Sequence, residues 1–271
     1  MISIVCVYNN KNLLDTYLLK SLNCQKTGYE LILVDNITQQ YNSAAEALNY
    51  GGKLAKNEYL MFIHQDVNLL SDTWLERAES LLQSLPNLGV AGVAGKQDYP
   101  DLLENIRNGI PPVLSNLKHG TPPSYPGVHI TDPVKVQTLD ECLIIIPRSV
   151  FTQLQFDEST CDNWHLYAVD YCLSCKKLGY EVYLMPFTVY HRSTGFSLSE
   201  EYYVTLKKLL SKHKEDYREV YTTMGDWLTF CSIPLQRNII WKSLRRCIFI
   251  FTGILYSGKY NSLPKISSIH K

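Results

Sequence analysis

The chain has no GxGxxG after its first strand-like run and no GxxxxGK[ST] anywhere. These absences remove the usual dinucleotide-binding turn and the P-loop, whose glycines let backbone N–H groups approach phosphates. Its eight cysteines (Cys6, Cys24, Cys142, Cys161, Cys172, Cys175, Cys231 and Cys247) follow no regular spacing, which excludes a disulfide scaffold. Cys172 and Cys175 form a CxxC, but no second pair completes four zinc ligands, so they read as core cysteines on a helix. There is no internal repeat and no low-complexity segment. Strand-like sequence begins at Ile2 and leaves no room for a secretory leader, so a cytoplasmic location is expected.

Acidic residues are missing beyond Asp226, where Arg237, Lys242, Arg245, Arg246, Lys259, Lys265 and Lys271 supply seven positive charges. The formal net charge of zero therefore hides an acidic body and a basic tail. Residues 235–256 read as a helix with Ile240, Leu244, Cys247, Ile248 and Phe251 on one side and Lys242, Arg245 and Arg246 on the other. Its apolar run is far short of the ~20 residues that span a bilayer. Such a helix either lies on an anionic membrane surface or docks its apolar face on the rest of the protein. The missing acids favour the membrane, placing the protein peripherally on the inner face of the cell membrane. No nucleic-acid partner is expected.

What is present is a regular alternation. Residues 2–7, 29–34, 59–63 and 88–94 are apolar strand-like runs, with helical patterns between them. Leu14, Tyr17, Leu18 and Leu22 share one helical face, residues 43–55 form a second helix, and Thr73-x-x-Glu76 reads as a capping box opening a third. Unbroken apolar strands separated by helices predict an α/β fold with a parallel sheet covered on both faces. Residues 96–137 hold seven prolines and no sustained period, so they are expected to form an irregular functional loop. Regular structure returns with a strand at 139–146, helices near 148–154 and 167–178, and a strand at 180–185. After about Glu200 the pattern reads as helical.

Polar groups stand at the strand ends. Tyr8-Asn9-Asn10 follows the first strand, Asp35-Asn36 the second and His64-Gln65-Asp66 the third, while Asp140-Glu141 precedes the later apolar run. Carboxyl ends of parallel strands converge on one edge, where such groups can share a ligand. A nucleotidyltransferase would need a glycine-rich basic loop after the first strand, and Tyr8-Asn9-Asn10 does not provide one.

The ordered segments ISIVCVYNN, ELILVDN, SAAEALNYGGKLAKNEYLMFIHQDV and FDESTCDNWHLYAVDYCLSCKKLGYEVYLMPFTVYHRSTG resemble family 2 glycosyltransferases. More narrowly, they are similar to the bacterial branch with HQDV in place of DxD, over about residues 2–197. The resemblance implies a GT-A (nucleotide-diphospho-sugar transferase) fold over residues 1–200, with a mostly parallel central sheet, helices on both faces and 96–137 as an acceptor-side loop. Residues 201–271 then form a C-terminal helical extension. It also implies an inverting, hexosyltransferase-type transfer from a nucleoside-diphosphate sugar, with a UDP-sugar favoured. The acceptor would be a hydroxyl of a glycan or lipid-linked molecule in bacterial cell-surface polysaccharide synthesis. A catalytically silent sugar-nucleotide-binding protein is the alternative.

Carried over residue by residue, the resemblance places Tyr8 and Asn9 in the turn against the nucleotide, beside Asn36 and Gln65, and Asp35 on the base or ribose. Asn49 and Lys53 would pass the donor's base and phosphates. Asp66 would bind Mn²⁺ or Mg²⁺, with His191 as second metal ligand, and His64 would orient Asp66 or contact the sugar. Asp140-Glu141 would face the donor sugar or acceptor, with Trp164 and His165 on the acceptor side. The family's usual Glu-Asp pair, which supplies the catalytic base, falls on Tyr167 and Ala168. That leaves Asp170 as first choice, with His165 or Asp162 behind it.

Overall fold

Residues 2–8 read ISIVCVY, and the two-residue period of a strand sends Ile2, Ile4 and Cys6 into one hydrophobic cluster and Val5 into another. The same split divides Met61 and Ile63 from Leu60 and Phe62. A computed structural model of the chain, which describes residues 1–98, 111–193 and 198–237, shows the resulting sheet buried on both faces. Leu14, Leu18, Leu22, Leu75, Ala78 and Leu82, from the helical segments at 11–22 and Trp74–Ser84, cover the first face. Ala44–Leu54, Arg148–Gln153 and Tyr167–Lys177 cover the other. Ala44–Leu54 lies so close that a Cβ on Gly51 would stand 2.4 Å from Val5 Cγ1.

The seven-stranded sheet runs in the order Tyr29–Asp35, Ile2–Tyr8, Tyr59–Ile63, Leu143–Pro147, Leu88–Gly92, Glu181–Leu184, Val134–Lys135. The first three strands are parallel, as are Glu181–Leu184 and Leu88–Gly92. Leu143–Pro147, antiparallel to both its neighbours, stands between Tyr59–Ile63 and Leu88–Gly92, which therefore still run the same way, and the sheet is mostly parallel as expected. Its Leu143, Ile144, Ile145 and Ile146 are all buried, so the strand takes a central place between two others.

Two expectations change. Thr73 makes no side-chain cap bond, because its backbone (φ −110°, ψ 16°) is not in the extended conformation that aims a cap hydroxyl into the first turn. Ser43 and Ser199, which are extended, do cap their helices. The stretch beyond residue 201 is also not helical throughout. After Glu200–His213 comes an antiparallel hairpin, Glu219–Thr222 with Gly225–Leu228. Alternation in EVYT and a turn at Gly225, whose φ is +157°, favour it.

Residues 96–137 are less irregular than their prolines suggest. Val113–Ser115 pairs with Ala94–Lys96, and Leu117–His119 lies parallel to Val189–His191, which pairs on its other side with Val67–Leu69. Strands of three residues carry too little period to be seen in the sequence.

Met1–Asp98 with Pro112–Phe230 forms one compact unit. Tyr99–Pro111 and Cys231–Lys271 group separately, and there the short helix Ile233–Arg237 is described. The amphipathic helix expected at 235–256 lies outside the described residues from 238 onward. No described helix is long and apolar enough to cross a membrane.

Candidate active site

The carboxyl ends of Ile2–Tyr8 and Tyr59–Ile63 open on a cavity of about 240 Å³ lined by Tyr8, Asn9, Asn36, His64, Gln65, Asp66, Trp164 and Tyr167. Its shape is fixed by Gln65. The Gln65 Oε1 accepts from the backbone N–H groups of Asn9 (3.1 Å) and Asn10 (2.9 Å), and its Nε2 donates to Asn9 Oδ1 at 2.7 Å. Tyr8 Oη donates to Asp35 Oδ2 at 2.9 Å, and Asn36 is buried, tied to Tyr41 through its side-chain amide. From the helix Ala44–Leu54 the wall receives Ala44 and Leu48, one turn apart.

A second cavity of about 300 Å³ lies against the first and shares His64, Gln65, Asp66 and Trp164 with it. It adds Asp140, Glu141, His165, His191 and, from the hairpin, Thr222, Thr223 and Met224. Trp164, which lines both cavities, is 40% exposed. A third, more apolar cavity of about 450 Å³ is lined by Ala94, Val113, Leu117, Pro122, Pro126 and Met224, and meets the second at Asp140, His191 and Thr223.

Where the first two cavities meet, one ligand atom each of His64, Asp66 and His191 lies within 4.8 Å of the others. His191 Nε2 is 3.3 Å from Asp66 Oδ1, so the pair expected to converge within metal-sharing distance does so. The His191 ring is buried and neither nitrogen has a hydrogen-bond partner among the described residues. Burial would raise the Asp66 carboxyl, but His191 and His64 outweigh it and hold it at about 2. Burial, followed by repulsion from His191, pushes His64 down to about 4 and keeps its imidazole neutral. Tyr167 Oη donates to the Glu141 carbonyl at 3.1 Å, so across the 3.0 Å contact with His64 it accepts from Nε2–H, leaving the lone pair on Nδ1. Two imidazoles and a carboxylate suit a borderline cation such as Mn²⁺ better than Mg²⁺. His64 thus stands with the metal-capable pair rather than beside it.

His119 stacks on His191, with ring centroids 5.2 Å apart and planes at 13°. The strand register that pairs residue 119 with 191 puts it there, and nothing local in the sequence signals it.

Asp140 lines the second and third cavities. Its Oδ1 accepts from the Cys142 N–H at 3.0 Å and its Oδ2 from the Thr223 hydroxyl at 3.0 Å. Burial opposes its ionisation, but the charge of His191 and the Cys142 N–H hold it below the usual carboxylate range. Glu141 behaves oppositely. Burial and the adjacent Asp140 raise its carboxyl to about 8, against the pull of the backbone N–H groups of Tyr167, Leu166 and Ala168. Unfolded, this group ionises near 4.5. The native state therefore has its full advantage below that pH and loses it as pH rises towards 8. Between about pH 5 and 8, the Tm of the wild type is expected to fall relative to that of Glu141→Gln. Parallel melting curves across that range would count against a protonated Glu141.

Other residues expected in the site lie elsewhere. Asp170 lines none of the three cavities. It is buried beneath helix Glu200–His213, where it accepts from His213 Nε2 and Lys212 Nζ, each at 2.8 Å. Two residues along a helix turn a side chain by about 200°, so Asp170 faces away from the Ala168 position. Asp162 pairs with Lys208 outside the cavities. Asn49 is buried and locks its helix to the chain at Phe156 and Glu158, and Lys53 is exposed and lines none of the cavities. Asp35 spends its carboxylate on Tyr8 Oη and the Ile37 N–H. His165 does line the second cavity, beside Ser199 Oγ at 3.5 Å, and burial pushes its pKa down.

Several solved structures share this architecture. TarS of S. aureus matches with a TM-score of 0.53 and 13% identity over 79% of this chain, which spans only 40% of TarS. The mannosyltransferase PcManGT from Pyrobaculum calidifontis, in complex with GDP-Man and Mn²⁺, matches with a TM-score of 0.52 and 12% identity, over 97% of this chain and 76% of its own. GalNAc-T7 with UDP, GalNAc and Mn²⁺ matches with a TM-score of 0.57 and 12% identity, over 94% of this chain and 54% of its own. At such identities they show the GT-A fold alone. No curated protein matches the chain. The model of the glycosyltransferase-like family matches residues 2–221, through the hairpin strand that closes the second cavity, and the chain belongs to that family.

Proposed function

We propose that the protein is an inverting glycosyltransferase that moves a sugar from a nucleoside-diphosphate sugar to a hydroxyl of a glycan or lipid-linked acceptor. The observation that carries this reading is the His64, Asp66, His191 cluster at the junction of two cavities on the sheet's carboxyl edge. The first cavity would take the nucleotide and the second the transferred sugar, with Trp164 placed to stack on a pyranose. The diphosphate would then lie over the cluster.

A cation held by Asp66, His191 and His64 would neutralise the charge that grows on the departing diphosphate. The chain's own part is to orient the donor. Gln65 fixes the turn beside the nucleotide, Tyr167 sets the His64 ring, and the Ser193 N–H, 3.1 Å from Asp66 Oδ2, aims that carboxylate. The apolar third cavity supports an acceptor with an apolar portion, and it reaches the reaction centre at Asp140 and His191.

UDP in GalNAc-T7 and UDP-GlcNAc in a TarS complex support a UDP-sugar donor, and GDP-Man in PcManGT makes a guanosine donor the comparison to run. The test is hydrolysis of UDP-GlcNAc, UDP-GalNAc and GDP-mannose by the full-length protein with Mn²⁺. Release of nucleoside diphosphate from one of them is expected. Tight nucleotide binding with no turnover, with or without acceptor, would instead identify a silent sugar-nucleotide binder.

A further inference from the structure

We propose that Glu141 is the general base of the transfer, reaching from its own segment the place that Ala168 leaves without a carboxylate. The inference rests on the transferase reading above. Ala168 lies in the first turn of the helix Tyr167–Lys177, where a base would be sought, and carries no proton acceptor on its side chain. The Glu141 carboxyl lies against the backbone N–H groups of Leu166, Tyr167 and Ala168 at that same helix start. Leu166 takes the left-handed conformation there, with φ +66° and its side chain buried. A non-glycine residue holds that conformation only where its surroundings impose it.

Geometry also selects Glu141 among its rivals. Glu141 lines the second cavity with Asp66, His191 and Trp164, and its Oε1 is buried with no hydrogen-bond partner among the described residues. An unsatisfied buried carboxyl oxygen costs free energy unless something else supplies the missing partner. An acceptor hydroxyl in the cavity would do so. Asp140, next in sequence, has both oxygens engaged and is the weaker base. Asp170 and Asp162 are outside the cavity.

The step balances simply. The acceptor O–H proton passes to the Glu141 carboxylate as the acceptor oxygen bonds to the anomeric carbon. The bond from that carbon to the diphosphate oxygen breaks, and its electron pair leaves with the nucleoside diphosphate. Glu141 then returns the proton to solvent. The titratable groups around Glu141 are Asp140, Tyr167, Cys161 and Tyr202, with His64, Asp66, His165 and His191 elsewhere on the cavity wall. A carboxyl raised towards neutrality among them is a stronger proton acceptor than an ordinary one.

The experiment compares wild type, Glu141→Gln and Glu141→Asp, all full length with Mn²⁺ and whichever of the three sugar nucleotides the wild type hydrolyses, water serving as acceptor. Glutamine keeps an oxygen for the helix N–H groups but accepts no proton. It is expected to lower kcat by about 10²–10⁴-fold with donor KM and nucleotide affinity unchanged. Aspartate should recover part of the rate. The wild-type rate should rise with pH and level off near 8, and the residual Glu141→Gln rate should lack that limb. A Glu141→Gln enzyme that keeps more than about a third of kcat, or that loses only KM, overturns the assignment. A wild type that binds nucleotide and Mn²⁺ in calorimetry but hydrolyses no donor overturns the transferase reading first, and this one with it.

Discussion

Asp66→Asn is expected to reduce donor turnover by about 10³-fold or more and to abolish tight Mn²⁺ binding. Asp66 is the one carboxylate in a cluster whose other members are imidazoles. His191 and His64 both favour its ionised form, so the carboxylate is fully charged at any working pH. Removing it leaves two imidazoles, a poor site for a hard or borderline cation, and the diphosphate loses several kcal/mol of charge stabilisation. A loss of about 4 kcal/mol corresponds to roughly 10³ in rate. Asparagine is the better probe than alanine because its carbonyl can still accept the Ser193 N–H. Mn²⁺ titration by electron paramagnetic resonance and donor hydrolysis should fail together. A variant that loses neither would remove the metal role from HQDV.

The second large effect concerns stability. Asp170→Ala is expected to destabilise the protein by about 3–5 kcal/mol, because it strips a buried carboxylate from His213 and Lys212 and leaves the lysine without its deepest counter-charge. For a chain of this size that is a fall in Tm of about 10 °C. The Asp157 pair with Lys212, at 2.8 Å, offsets only part of the loss. Below the transition, turnover per folded molecule should stay within a few-fold of wild type. A variant that melts normally but has lost its catalysis would return Asp170 to the reaction, against its position under helix Glu200–His213.

The two carboxylates nearest Ala168 show what sequence reading can and cannot reach. Asp170 is close in the chain, yet a helix turns it away from its neighbour's face. Glu141 lies 27 residues before Ala168 and comes to it through the antiparallel strand Leu143–Pro147, whose place in the sheet no local pattern announces. Similarly, Asn49 and Lys53 sit on the right helix, but the face towards the nucleotide cavity belongs to Ala44 and Leu48. The i, i+4 spacing of those two apolar residues is visible in the sequence, whereas Asn49 and Lys53 are placed there by the resemblance alone.

By itself the sequence determined the longer strands of the central sheet, the helices between them through residue 94, and the gathering of Tyr8, Asn36 and HQD at one sheet edge. These follow from periodicity or from residues adjacent in the chain, which set backbone geometry directly, while the family follows from the resemblance of the ordered segments. Only the tertiary structure decided that His64 joins Asp66 and His191, that His119 stacks behind them, that a hairpin places Thr223 on Asp140, and that Glu141 meets the start of helix Tyr167–Lys177. Those contacts join segments far apart in sequence, and Asp66 and Ser193 alone are 127 residues apart. Strand order and register fix them, and the free energy that sets strand order is that of the whole core.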